Sequence, residues 1–187
     1  VGTWLSVLEN MGVSTVLGIE GNWVDEELLV IPKESFQQMD LSKMETPSQR
    51  YDLAISLEVA EHLPPESAED FVSRLTELSD YILFSAAIPG QGGKNHVNEQ
   101  WQEYWVKLFR DRGYNVHDFI RPRIWEDERI PFWYRQNILF FSKSSKSATV
   151  SHSPNQLEMG SMLNAVHPNL YLLKNKKVRK QDEILSG

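Results

Sequence analysis

Cysteine is absent from this 187-residue chain. That excludes disulfide staples, thiolate nucleophiles and cysteine-ligated zinc. No run of about 18 apolar residues occurs, so no helix is expected to span a membrane. No secretory signal pattern is read at the N-terminus, and a cytoplasmic location is the expectation. Positive charge is scarce: 19 Lys and Arg stand against 26 Asp and Glu, a formal net charge of −7. Nucleic acid is not expected as a partner, because binding phosphates needs clustered cations. One basic cluster, Lys174–Lys180, reads as a solvated tail.

Apolar residues, by contrast, make up 41% of the chain, with six Trp, six Tyr and eight Phe. This is the composition of one folded domain with some tail. Residues 3–12 read as a helix with Trp4, Leu5, Leu8 and Met11 on one face and Gly12 as its stop. Ser14–Glu20 reads as a strand ending in an acid, Val24–Leu29 as helical, and Ser35–Leu41 as a short strand. Tyr51–Glu58 is a nearly continuous apolar run that suits a strand buried on both faces. Pro64-Pro65 opens a helix striped by Ala68, Phe71, Val72, Leu75 and Leu78. A strand follows over Asp80–Ile88. The next helix, from about Glu99 to Arg112, carries Trp101, Tyr104, Trp105, Leu108 and Phe109. Tyr114–Arg121 and Arg135–Lys143 read as two closing strands with no helix between them. Strands alternating with helices predict an α/β fold with a mostly parallel sheet and an antiparallel C-terminal hairpin. Residues 1–143 are expected to form the domain, Ser-rich 144–156 a linker or loop, and 157–187 a C-terminal extension.

Three segments together resemble the class I S-adenosylmethionine-dependent methyltransferases of the small-molecule type: Val16–Trp23, Tyr51–Pro64 and the helix-free terminal hairpin ending in Asn137–Ser142. The most specific is Glu58-Val-Ala-Glu-His62, which follows an aspartate-led strand. The resemblance implies a Rossmann-like sheet, S-adenosylmethionine as cofactor and a small-molecule acceptor. It implies that Gly2 is the last glycine of a glycine-rich loop that family members carry after their first strand. That first strand is then missing from the given residues, which begin inside the motif. Two sheet edges would be left unpaired, and self-association through them is one consequence.

The resemblance also names site residues. Glu20, at a strand's C-terminal end, can accept from both hydroxyls of a ribose; the alternative is a polar loop residue. Gly21, Asn22 and Trp23 follow it, with Trp23 placed to pack on an adenine or to serve as an ordinary aromatic. Asp40 and Leu41 fall where family members meet the adenine amino group, although Asp-Leu-Ser is also turn chemistry. Leu57 and Glu58 are expected to line the methionine part of the cofactor. His96 and His62 are the candidate catalytic residues. Methyl transfer needs alignment, and a base only where the acceptor carries a proton. Glu61 points to the same crevice or supplies a helix N-terminal charge. The two histidines lack a matched ligand spacing, so no metal is expected. A nicotinamide-dependent dehydrogenase stays open as an alternative, because an acid ending the second strand also suits a dinucleotide. So does a non-catalytic interaction module, for which Trp125, Phe132, Trp133 and Tyr134 would be the exposed aromatics.

Overall fold

The computed structural model describes residues 1–45, 49–146 and 163–186, with side chains of the last helix described through Val178. It consists of two compact units, Val1–Glu45 and Thr46–Gly187.

The first unit holds α1 (Thr3–Asn10) and two parallel strands, β1 (Gly18–Glu20) and β2 (Phe36–Gln38), paired Gly18 to Phe36 and Glu20 to Gln38. Gly2 caps α1 at φ 88°, and a Cβ there would fall 2.9 Å from Ile31 Cγ1. Backbone conformation and close packing thus both require glycine at this position. Gly12, at φ 95°, stops the helix as its pattern predicts. Of the stripe read on α1, Leu5 and Leu8 are half-buried, while Trp4 and Met11 are exposed. Residues 24–29 are not an α-helix: only Glu26–Leu28 form a 3₁₀ turn, capped by the Asp25 carboxylate. Glu26 and Glu27 favour its start, but Pro32 follows too closely for the helix to lengthen.

The second unit is built on a four-stranded sheet in the order β3 (Ala54–Leu57), β4 (Tyr81–Ser85), β6 (Leu139–Lys143), β5 (Tyr114–His117). β3 and β4 are parallel, and β6 runs antiparallel to both β4 and β5. Three strands therefore share one direction and the last is inserted against them. Ala54, Ile82 and Phe141 share a register row, as do Ser56, Phe84 and Leu139, and all six are buried. The alternate residues of β3, Ile55 and Leu57, are only half-buried. The apolar run at 51–58 thus has one fully covered face rather than two.

Two helices supply the core opposite that face. α2 (Ala68–Leu78) buries Ala68, Phe71, Val72, Leu75 and Leu78, every residue of its predicted stripe. α3 (Gln102–Arg110) buries Trp105, Val106, Leu108 and Phe109. Phe109 stacks on Phe141 at 4.0 Å between ring centroids, and Phe84 meets Trp105 at 5.3 Å and Phe109 at 5.4 Å. Each fully buried aromatic or aliphatic side chain contributes about 1.5–3 kcal/mol, so this cluster dominates the stability of the unit.

The closing strands are shorter than their sequence suggests. β5 ends at His117, and two short helices intervene, α4 (Arg121–Ile124) and α5 (Phe132–Asn137). Pro122 sits in the first turn of α4 and Pro131 immediately precedes α5, places where a fixed φ and a missing N–H suit helix initiation. Residues 135–137 therefore end a helix, and the strand begins at Leu139. The C-terminal helix α6 (Pro168–Ser186) includes Lys174–Lys180, so the basic cluster extends a helix rather than a tail; Lys and Arg are good helix formers. Ahead of it, Leu163 and His167 are buried, as is Leu170 in its first turn. Most of the expected linker, residues 147–156, lies outside the described residues, as do 157–162. No described helix is long and apolar enough to cross a membrane.

Candidate active site

Because β6 is antiparallel, its N-terminal end lies beside the C-terminal ends of β3 and β4. Chain direction alone thus brings Glu58, Gln91 and the pair Gln136-Asn137 to one end of the sheet. Glu58 has φ 55°, which costs a residue with a side chain about 1–3 kcal/mol. Its backbone N–H donates to the Ser85 carbonyl at 2.9 Å, fixing the turn against β4. Its carboxylate accepts from Gln91 Nε2 at 3.0 Å and from Asn137 Nδ2 at 3.2 Å. Gln91 Oε1 in turn accepts from Gln136 Nε2 at 3.1 Å and Asn137 Nδ2 at 2.9 Å. Gln136 and Asn137 are buried, and buried amides of this kind persist only when partnered. Sequence reading missed Gln91, Gln136 and Asn137. The available signal was a polar triplet, Arg135-Gln-Asn137, directly before an apolar strand.

After Glu58 the chain turns through a short 3₁₀ segment, Ala60–His62. The Glu61 carbonyl accepts from the N–H groups of both Val97 and Asn98, at 2.9 and 3.0 Å. This ties the post-β4 loop to the post-β3 turn and sets His96 against His62, ring centroids 4.8 Å apart and nearly perpendicular. Glu99 organises the same loop. It accepts from the backbone N–H groups of Gly90 and Gly92, each at 2.7 Å, and lies 2.9 Å from His96 Nδ1. Burial alone would raise its pKa, but the bonds from His96, Gly92 and Gly90 outweigh that and lower it. A Cβ at Gly93 would fall 2.2 Å from His96 Nε2, so a side chain there would displace the ring.

Glu61 itself is fully buried, and neither carboxylate oxygen meets a donor in full hydrogen-bond geometry. Burial first, and then the charge of Glu58, push its pKa up to about 8, with the close approach of the Glu58 carboxyl adding to the rise and the backbone amides of Glu61 and Ala87 acting the other way. One oxygen of Glu61 and one ring nitrogen each of His62 and His96 lie within 4.8 Å of one another. The sequence spacing of the two histidines concealed this grouping, because it depends on the loop closing onto Glu61.

Glu20, Gly21, Asn22, Trp23, Asp40 and Leu41, also named from sequence, belong to the first unit. Glu20 ends β1, and its Oε1 accepts from the Gly21 N–H at 3.1 Å. Gly21 is buried, and a Cβ there would fall 2.0 Å from the Trp23 ring, which folds back over it while staying 70% exposed. Asp40 caps the turn Leu41–Lys43: its Oδ1 accepts from Ser42 N at 3.0 Å and Ser42 Oγ at 2.7 Å, and these bonds lower its pKa. Its turn-forming role is thus realised. Leu41 is buried and Asn22 exposed. Of the aromatics read as exposed, only Trp133 is so; Trp125 and Phe132 pack on His167, at 4.7 and 6.3 Å.

No protein-family model and no curated protein matches the sequence. Solved structures do match. A structure of LepI in complex with SAH and a substrate analogue aligns with a TM-score of 0.51 at 14% identity, covering 75% of this chain and 39% of that one. That likeness agrees with the strand order seen here, in which the last strand is inserted antiparallel between β4 and β5. The chain has the class I methyltransferase fold. Magnesium protoporphyrin IX methyltransferase (ChlM) from Synechocystis PCC 6803 with bound SAM is 24% identical, with a TM-score of 0.41 over 59% of this chain and 46% of that one. The DhpI–SAH complex is 14% identical, with a TM-score of 0.48 over 75% and 70%. The match to this methyltransferase fold thus spans less than half the length of ChlM and of LepI.

Proposed function

We propose that this chain transfers the methyl group of S-adenosylmethionine to a small-molecule acceptor. The observation that carries the reading is Glu58, held at φ 55° at the C-terminal end of β3 with its carboxylate fixed by Gln91 and Asn137. Ligands of open α/β sheets bind beyond the carboxyl ends of strands, and backbone strain collects where a chain must present a group to a ligand. LepI, which shares the fold, is described in complex with SAH, so the same nucleoside is the ligand to test.

On this reading Leu57 and Glu58 of the second unit line the methionine part of the cofactor. S-adenosylmethionine would supply the methyl group, with its sulfur as the leaving group, and the proton of the acceptor would pass to a base of this chain. His96 suits that role: with its Nδ1 hydrogen given to Glu99, Nε2 keeps the lone pair. His62 stands beside it. Calorimetry with S-adenosylhomocysteine tests the reading. The full chain is expected to bind, and Glu58→Ala to weaken binding about 10-fold or more, the equivalent of one charge-assisted hydrogen bond. No heat of binding from the folded chain would remove it.

A further inference from the structure

The geometry points to a divalent transition-metal site formed by Glu61, His62 and His96. Three observations carry it independently of the methyl-transfer reading. First, one ligand atom from each side chain falls within 4.8 Å of the others. Donors around a shared cation at about 2.1 Å stand roughly 3–4 Å apart, so closing the site needs a shift of about an ångström. Second, Glu61 is fully buried and neither of its oxygens meets a donor in full hydrogen-bond geometry. Buried carboxylates are ordinarily paired or bound to metal, and the groups acting on this one are the backbone amides of Glu61 and Ala87 and the Glu58 carboxyl, none of them a cation. Third, both imidazoles are held as ligands usually are. His96 Nδ1 lies 2.9 Å from Glu99 Oε1 and His62 Nδ1 lies 3.3 Å from the Asn95 carbonyl. Each ring can donate through Nδ1 to an oxygen, leaving the Nε2 lone pair for a cation, the arrangement that orients metal-ligating histidines.

Two imidazoles and a carboxylate form a borderline donor set that suits Zn²⁺, Co²⁺ or Mn²⁺ better than Ca²⁺. The Glu58 carboxylate, close enough to repel Glu61, adds negative potential that a cation would relieve. His62 is exposed while Glu61 is buried, so the site has a solvent side where an exogenous oxygen could complete the shell. Within the methyl-transfer reading, and resting on it, that oxygen is an acceptor hydroxyl, and the histidines act as ligands in place of one acting as base.

Titrating the metal-free full chain with CoCl₂ and following the visible d–d absorption tests the site. One Co²⁺ per chain is expected. His62→Gln, at an exposed position where the fold should survive, is expected to weaken binding at least 10-fold, and Glu99→Gln about 10-fold by loosening His96. A wild-type chain without d–d bands, or a folded His62→Gln variant binding Co²⁺ within about twofold of wild type, would overturn the proposal. Because the readout uses no cofactor, its failure is distinct from a failure to bind S-adenosylhomocysteine.

Discussion

At the scale of single residues, the site depends on small contacts whose effects can be separated. Gly93 keeps the His96 ring flat against its own loop, with 2.2 Å between a would-be Cβ and Nε2. Gly93→Ala is therefore expected to displace His96 and lower Co²⁺ affinity about 10-fold, within the range seen when ligand orientation is disturbed, while leaving the melting temperature close to wild type. Parallel metal titration and thermal melting measure both. His117 shows a different kind of sensitivity. It is buried, lies 2.8 Å from Ser142 Oγ through Nε2, and burial lowers its pKa. The folded state thus prefers the neutral ring. Its contribution to stability is complete above the ordinary histidine pKa of about 6.5 and is lost as pH falls through that value toward the lower folded one. Thermal melts at about pH 7.5 and pH 5.5, either side of that value, should show a drop for the wild type, and His117→Asn should flatten it.

At the scale of elements, the helices were the most legible part of the chain. The stripe of α2 is buried residue for residue, and α3 buries Trp105, Leu108 and Phe109 as its pattern implies. A period of 3.6 leaves its mark directly on the sequence. Phe109→Ala would open a void between Phe84 and Phe141 and is expected to cost about 3–5 kcal/mol in urea unfolding. Trp101 and Tyr104, also on that stripe, are exposed and half-exposed; α3 begins only at Gln102, which leaves Trp101 outside the helix. The strand boundaries near 117 and 138 were not legible. Apolar residues flank both proline sites, where Pro122 and Pro131 start short helices, and only pairing with β4 decides where β6 begins.

At the scale of the whole molecule, the segment ahead of α6 ties itself to the second unit through buried polar groups. Arg121 is buried, is paired with Asp118 at 2.5 and 2.8 Å, and donates to the Leu163 carbonyl at 2.9 Å. The His167 N–H donates to Gln136 Oε1 at 2.8 Å, and Gln102 Nε2 donates to the Ala165 carbonyl at 3.2 Å. Arg121→Met removes the guanidinium from which the Asp118 carboxylate and the Leu163 carbonyl accept. A loss of about 3–5 kcal/mol is expected, with limited proteolysis cutting ahead of α6 earlier than in wild type.

Composition and helix stripes were enough to determine an α/β sheet and its covering helices, and the segment Glu58–His62 carried the resemblance that named candidate site residues. Those features follow from local periodicity and from acids placed directly after strands, and both are written in consecutive residues. What only the tertiary structure decided is how distant polar residues converge. Asn137 reaches Glu58 because β6 runs backwards beside β4, and His96 reaches Glu61 and His62 because two backbone N–H groups pin its loop to the Glu61 carbonyl. Contacts of this kind carry no periodic signal, since they arise from chain direction and loop closure between residues 34 to 79 positions apart in the sequence.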